Sequence, residues 1–368
     1  MIVRTPSTSS IRSLARNFSN LNVKERREFI QSYAKLTDEE VLTFSGGLNL
    51  ELADSMIENV IGVMQIPLGV ATGLIMNSKE YLVPMVTEKR SIISLVSKGM
   101  EFTKARGGFK ASSTDPIMIG QIQVVHIRDF EKAKKKILNH KKEAIEMANK
   151  LSRTRRALDL EVRTLSSSIG RMLIVELLVD VRDSMGANLV NSMCEVVAPL
   201  IETLSKGRTI VRVLSNLATK RMVHVETVVE RDILGDTVVD KIVEASNFAA
   251  VDPYRAASHN KGIMDGVSSV LLATSNDIRA VEAGAHAYAA LKGRYRPLSI
   301  WSKDRRNNLR GELKMPMQVG IVGGTISSHP TARTVLKILG VITSSELGEI
   351  AASTGLAYNL AALNALVQ

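Results

Sequence analysis

A lysine set among small and apolar residues, followed by an acid at the mouth of the next helix, is the feature of this 368-residue chain best suited to chemistry. The stretch Val251–Ala290 begins V-D-P-Y-R-A-A-S-H-N-K-G-I-M-D-G and continues through T-S-N-D-I-R-A-V-E-A-G-A-H-A-Y-A-A. Its patterning predicts two helices joined by the polar turn Thr274–Asp277. Lys261 lies on the first. Asn276-Asp277 opens the second as a cap whose side-chain oxygen accepts an orphan helix N–H. A cation then stands near a carboxylate, which is either a structural pair or the beginning of a polar site in an apolar shell. His259, two residues before Lys261, is placed to help position it. A second candidate is D-S-M-G-A-N, Asp183–Asn188, joining a strand to a helix N-terminus. Gly186 would let backbone come close to a ligand, and the helix end favours anions; an ordinary strand–helix turn reads the same way. Gly323-Gly324, ahead of Thr325–Pro330, is anion-friendly too, though glycine turns are common.

Composition narrows the classes. Hydrophobic residues are 45% of the chain, enough for a sizeable core, and the length suggests two or three domains. The net charge of +11 points to anionic partners. Aromatics are only 4%, poor material for stacking bases, so small phosphate-bearing molecules are favoured over nucleic acid. The longest apolar run, Met172–Val179, reads as a strand, and no membrane span is expected. The single cysteine, Cys194, fits a reducing compartment and a cytoplasmic location. The six histidines lack zinc spacing, so no metal is expected, and no nucleophile-elbow serine is present. Lys132, Lys134, Lys135 and Lys136 read as a solvated helix face. Residues 1–23 lack acids and are rich in Ser, Thr and Arg, which suits an N-terminal arm or a transit peptide.

The elements that must position these residues follow from caps and periodicity. Helices are predicted at Val23–Leu36, after the capping box Thr37-x-x-Glu40, and at Leu50–Asn59 capped by Asn49. Strand-like runs span Val63–Val86, around Pro67 and the turn Asn77–Glu80. A helix from Ser91 ends at Gly107-Gly108. Then come a strand at Ile117–Ile127, a basic helix at Asp129–Lys150, strands at Leu158–Leu165 and Met172–Val181, a helix at Asn188–Leu204 and a strand at Thr209–Leu214. This β-α-β-β-α-β order is ferredoxin-like. Beyond it lie a strand at Arg221–Val229, a helix at Asp236–Ala249 and a hairpin at Leu298–Met317. A helix starts at Pro330, another is capped by Thr343-x-x-Glu346 and ended by Gly355, and a last one runs Leu356–Val367. The expected fold class is α+β: a large, mostly helical domain built from 1–115 and 219–368, with an inserted small domain at 116–218.

The strings D-P-Y-R-A-A-S-H-N-K-G-I-M and N-D-I-R-A-V-E-A-G-A-H-A-Y-A resemble 3-hydroxy-3-methylglutaryl-coenzyme A reductases of the soluble class II kind. D-S-M-G-A-N is similar to that family's dinucleotide-binding loop D-A-M-G-A-N, and Gly323-Gly324 to His329-Pro330 matches its G-G-x-x-x-x-H-P. The likeness runs from the N-terminal arm to Leu363. It implies an oxidoreductase of the mevalonate (isoprenoid) pathway that reduces 3-hydroxy-3-methylglutaryl-CoA to mevalonate and CoA with two NAD(P)H. It further implies a homodimer or higher homo-oligomer with active sites at the subunit interface, and a cofactor held by the small domain.

By the same resemblance Lys261 is the catalytic lysine that stabilises the oxyanion, and Asp277 is the aspartate that tunes it and relays protons. Arg255 grips the substrate carboxylate, Ser91 binds the same group, and Asn216 is an active-site asparagine. Asp183, Met185, Gly186 and Asn188 form the cofactor loop. The position of the aspartate that NADH-preferring members use falls on Ser152, beside Arg153, which suits a 2′-phosphate and predicts NADPH, with NADH possible. Two departures stand out. The family glutamate falls on Lys89, with Glu88 one residue earlier as the substitute. The family's catalytic histidine lies in a C-terminal flap, and the sequence here ends at Gln368, so that flap is expected to be missing. Asp265 also stands where an asparagine is usual. These departures support an alternative reading, a degenerate homologue that binds CoA or nucleotide with little or no catalysis.

Overall fold

Local caps set the first helices. In the computed structural model, which describes Phe18–Gly46 and Leu48–Gln368, helix α1 (Val23–Ala34) starts at Asn22. Asn22 Oδ1 accepts from Glu25 N at 3.0 Å, and Glu25 Oε2 accepts from Asn22 N at 2.8 Å. Thr37 and Glu40 do the same for α2 (Asp38–Gly46). Asn49 caps α3 (Leu50–Met56), which stops short of the expected Asn59. Strands β1 (Leu68–Met76) and β2 (Lys79–Val86) then form a hairpin. Its two-residue turn, Asn77-Ser78, has φ of 50° and 67°, the left-handed pair that a tight hairpin needs. Helix α4 (Ile92–Thr103) and β3 (Phe109–Ser113) follow. Most of the N-terminal arm lies outside the described residues.

The next stretch runs β4 (Ile117–Val125), α5 (Phe130–Asn139), α6 (Lys141–Asn149), β5 (Arg156–Ser167), β6 (Gly170–Asp180), α7 (Ala187–Ser205) and β7 (Arg208–Leu214). The single helix expected at Asp129–Lys150 is broken at His140. There the ring Nδ1 lies 2.9 Å from the Lys136 carbonyl oxygen, and the His140 N–H is shared between the Lys136 and Ile137 carbonyls. Such local competition for carbonyls interrupts a helix. After this come β8 (Met222–Val229), α8 (Arg231–Leu234), α9 (Asp236–Val251), α10 (Pro253–Ala273), α11 (Ile278–Ala290), β9 (Ser299–Lys303), β10 (Leu309–Pro316), α12 (Gly324–Ser328), α13 (Pro330–Leu339) and α14 (Ser344–Val367).

The chain divides into two units. The larger comprises residues 1–113, 223–315 and 319–368; the smaller comprises 114–222 with 316–318. The larger holds a six-stranded sheet of order β2-β1-β3-β8-β10-β9, in which β1 and β3 meet in parallel at Met76 and Phe109. The smaller holds a four-stranded sheet of order β5-β6-β4-β7, antiparallel throughout. Alternate β6 residues Leu173, Val175, Leu177 and Val179 are fully buried, as are Val190, Met193, Val197 and Ile201 of α7. They share one core with Ala133 and Ile137 of α5 and Ala144 and Ala148 of α6.

Gly355 does not end a helix. α14 runs unbroken through it, because the missing side chain serves packing rather than termination. A Cβ at Gly355 would lie 2.7 Å from Val267 Cγ2 and 2.9 Å from the Ile263 carbonyl oxygen of α10. A Cβ at Gly99 of α4 would lie 1.9 Å from the Ala357 carbonyl oxygen. Helices α4 and α10 therefore both press against α14 almost backbone to backbone. α14 is also long and apolar enough, by length and composition, to cross a membrane, which the runs in the sequence did not suggest. It is 72% buried over its most apolar window, as the core helix of a folded unit is.

Candidate active site

Helix α10 carries the lysine, and its neighbours fix how the helix is turned. Asp252 caps it, accepting from Arg255 N at 2.8 Å, with Pro253 in the first turn, where a missing N–H costs nothing. His259 is 1% exposed and its Nε2 lies 2.7 Å from Ser299 Oγ. Ser299 in turn donates to Asn359 Oδ1 of α14 at 2.9 Å, and Trp301 Nε1 donates to the same oxygen at 2.7 Å. Burial, with the Arg255 charge nearby, pushes the His259 imidazole down to about 4, so the ring is neutral at ordinary pH. Asn260 clamps the chain ahead of β9, donating to the Arg296 carbonyl and accepting from Leu298 N, both at 2.8 Å. With His259 and Asn260 anchored inward, the next residue, Lys261, faces out, with its side chain 54% exposed.

Lys261 meets three side chains. Asp265, one turn further along α10, accepts from its ammonium and is itself 15% exposed. Lys89, from the loop after β2, is a neighbour of its ammonium. Tyr358 of α14 lies near enough to interact electrostatically with both Lys261 and Asp265. Partial burial works to lower the Lys261 ammonium, hydrogen bonding outweighs it with Asp265 foremost, and the net direction is upward. The Tyr358 phenol is raised, by burial first and by the Asp265 charge second. Asp277 caps α11 through Ala280 N at 3.0 Å. Asn276 is not the cap: it is buried and grips the Gly320 backbone, donating to its carbonyl at 3.0 Å and accepting from its N–H at 2.7 Å.

Glu88, Lys89, Arg90 and Ser91 sit on a loop, not on a strand. Thr87 is buried and its Oγ1 accepts from Lys89 N at 3.2 Å, which pins the turn. Ser91 holds φ of 71°, an uncommon conformation for a residue with a side chain. This loop lines a cavity of about 1790 Å³ in the larger unit, together with Leu272, Ser275 and His329. His329 caps α13 through Ala332 N, and burial holds its imidazole below the usual value.

The smaller unit contains the D-S-M-G-A-N loop. Gly186 has φ of 90°, and a Cβ there would lie 2.4 Å from Val181 Cγ1, so glycine is required. It opens α7 with no side chain capping the first N–H groups. Met185 is half-buried and Asn188 exposed. Ser184 is buried under the loop and its carbonyl accepts from Arg221 Nη1 at 3.0 Å. Burial pulls the Arg221 guanidinium down to about 10 against the raising effect of Asp183 and Asp180. Ser152 spends its hydroxyl on its own turn, accepting from Arg155 N at 3.1 Å, while Arg153 is exposed. Asn216 is an exposed residue of this unit, in the loop after β7. Burial raises the Cys194 thiol to about 12, so it is inert packing. No metal-binding group of His, Cys, Asp or Glu occurs among the described residues.

The larger unit thus brings together Lys261, the loop bearing Glu88 and Ser91, and two residues whose part had not been anticipated, Asp265 as the lysine's partner and Tyr358. The four-residue spacing of Lys261 and Asp265 was a readable signal. Tyr358, on a distant helix, carried none.

The fold and site define a two-unit α+β protein with a lysine–aspartate centre in one unit and a glycine-turned helix N-terminus in the other. Residues 22–368 match the family described as hydroxymethylglutaryl-coenzyme A reductase, and the chain belongs to that family. It is 46% identical over 356 residues to the 3-hydroxy-3-methylglutaryl-coenzyme A reductase of Archaeoglobus fulgidus, covering 95% of this chain and 81% of the relative. It is 32% identical to a probable reductase of the same name from Borreliella burgdorferi, covering 98% and 84%. Among solved structures it resembles the class II reductase of Streptococcus pneumoniae bound to NADPH in open conformations. That match has a TM-score of 0.93 at 37% identity, over 96% of this chain and 99% of that one.

Proposed function

We propose that the chain reduces the thioester of 3-hydroxy-3-methylglutaryl-CoA to mevalonate and CoA, and that Lys261 is its electrophilic centre. The observation that carries this reading is the lysine itself: an ammonium fixed by Asp265 on an anchored helix, open to solvent on its other side. Such a donor stabilises the negative charge that develops on a thioester oxygen as the carbonyl carbon is reduced. Arg255, earlier on the same helix α10, supplies a guanidinium for the substrate's free carboxylate, with Ser91 at the cavity loop. Asp277 would relay protons, and Glu88 shares the loop with Lys89.

NADPH fits the smaller unit as its cofactor and supplies the hydride. The open N-terminus of α7 and the Gly186 turn suit a diphosphate. Asp183, Met185 and Asn188 line the same turn. With a hydroxyl rather than a carboxylate at Ser152 and an exposed Arg153, a 2′-phosphate is favoured over a bare ribose. We read this β-α-β-β-α-β unit, near 116–218, as the ferredoxin-like cofactor domain between two parts of a substrate domain, and the active form as a cytoplasmic homodimer.

The test is oxidation of NADPH with the hydroxymethylglutaryl thioester. Turnover is expected, and Lys261→Ala is expected to lower kcat about 10²–10³-fold. Unchanged turnover in that variant overturns the assignment. Silence in the natural chain together with activity in Lys89→Glu would favour the degenerate homologue.

A further inference from the structure

A buried cation stands behind the D-S-M-G-A-N loop, and the proposed reaction gives it no part. Arg221 is 5% exposed, and its Nη1 donates to the Ser184 carbonyl oxygen at 3.0 Å. A guanidinium taken out of water is costly, so a fold keeps one only where its donors find partners. We propose that Arg221 is a positioning residue: it holds the cofactor loop in its ligand-accepting shape and ties that loop to the turn bearing Asn216.

The first half rests on how the loop is held. Ser184 is fixed a second time, its N–H at 3.2 Å and its hydroxyl at 2.9 Å both donating to the Val181 carbonyl oxygen. Val181 is anchored by its own N–H, which donates to the Pro116 carbonyl at 3.1 Å. Its side chain occupies the space that a Cβ at Gly186 would need. Val181, Ser184 and Gly186 therefore share one tight turn, and Arg221 reaches it from 37 residues further along the chain. The turn leads into α7, whose N-terminus no side chain caps, the end that suits a diphosphate.

The second half rests on where Arg221 itself is held. Its N–H donates to the Ala218 carbonyl at 2.9 Å, and the Ala218 N–H to the Asn216 carbonyl at 3.0 Å. Gln318 Nε2 donates to that same Asn216 oxygen at 2.8 Å, and the Met317 N–H to the Arg221 carbonyl at 2.9 Å. The loop, Arg221 and Asn216 all belong to the smaller unit. A short run of hydrogen bonds thus connects the cofactor loop to the asparagine's backbone, the kind of contiguous network that carries coupling. The inference rests on the NADPH reading and deepens it by naming the residue that shapes the cofactor site.

The test begins without ligand. Amide hydrogen exchange of the full chain is followed by mass spectrometry in the natural protein and in Arg221→Met, which keeps the bulk and loses the charge and the donors. Peptides covering 181–190 are expected to exchange about tenfold faster in the variant, while β6 stays protected. NADPH affinity, read from the change in its fluorescence on binding, is expected to fall about ten- to hundredfold, while the KM for the thioester changes little. Arg221→Lys, which restores a charged donor, is expected to lie between the two. Unchanged exchange at 181–190 overturns the proposal. So does a lower melting temperature with NADPH affinity intact, which would make Arg221 a fold-stabilising residue only. Should Arg221→Met fail to fold, the natural chain decides: NADPH is expected to slow exchange at 215–222 as well as at 181–190, and protection confined to the loop overturns the coupling. No saturable NADPH binding by the natural chain, with faster loop exchange still seen in an Arg221 variant, removes the cofactor reading and leaves the positioning role standing.

Discussion

His259 neighbours the site in sequence and belongs to the core in space, and its protonation links folding to pH. Its folded-state value, near 4, lies below the ordinary 6.5 of the unfolded chain. The unfolded chain therefore binds the extra proton first. The stability this histidine contributes is fully present above about 6.5 and is lost as pH falls through that value towards 4, by about 3 kcal/mol in all. Thermal unfolding of the natural chain is expected to drop over that window, and His259→Asn should flatten the drop. An equal slope in the variant would show that other groups set it. Asp277 permits a separation of roles, because asparagine caps helices as well as aspartate does. Asp277→Asn should leave the melting temperature unchanged while lowering kcat about 10²–10⁴-fold if the carboxylate moves protons; unchanged kcat would reduce it to a cap.

At the scale of elements, glycines separate close packing from tolerance. Gly99→Ala drives a Cβ into the Ala357 carbonyl, and neither backbone can step aside. A loss of about 3 kcal/mol or more is expected, read as a fall in melting temperature. Gly262→Ala places its Cβ 3.6 Å from Tyr358 Cε1, ordinary contact, inside a helix. Alanine should stabilise there by about 0.5–1 kcal/mol. The same contrast explains what the sequence revealed and what it hid. Caps at Thr37, Asn49, Asp277 and Thr343 were legible because their chemistry is local. Gly355 was misread as a stop because a helix-ending glycine and a packing glycine look alike until the partner helix is known. The break at His140 turns on one ring nitrogen and one carbonyl, which periodicity does not register. α14 is buried nearly all round, so it lacks the stripe that would announce which of its residues, Tyr358 among them, faces the site. Lys261 and Arg255 do lie on the helix, and Gly186 at the helix N-terminus, that local patterning predicted for them. The meeting of Lys89 with Lys261 joins residues far apart along the chain and had to be seen.

For the whole molecule, a net charge of +11 acts on every anionic ligand at once. The KM values for the thioester and for NADPH are expected to rise together as salt increases from about 0.01 to 0.15 M, over which the screening length contracts from about 30 to 8 Å. A flat response would mean that only short, desolvated contacts hold the ligands. The position of α14 has a consequence for synthesis on the ribosome. The smaller unit is almost continuous, 114–222, and can collapse soon after those residues emerge. The larger unit cannot seal the space between α4 and α10 until α14 arrives, more than a hundred residues after residue 222. At about 5–20 residues per second, its apolar faces wait several seconds or longer in the open. During that interval the nascent chain is a natural client for the cell's holdase chaperones.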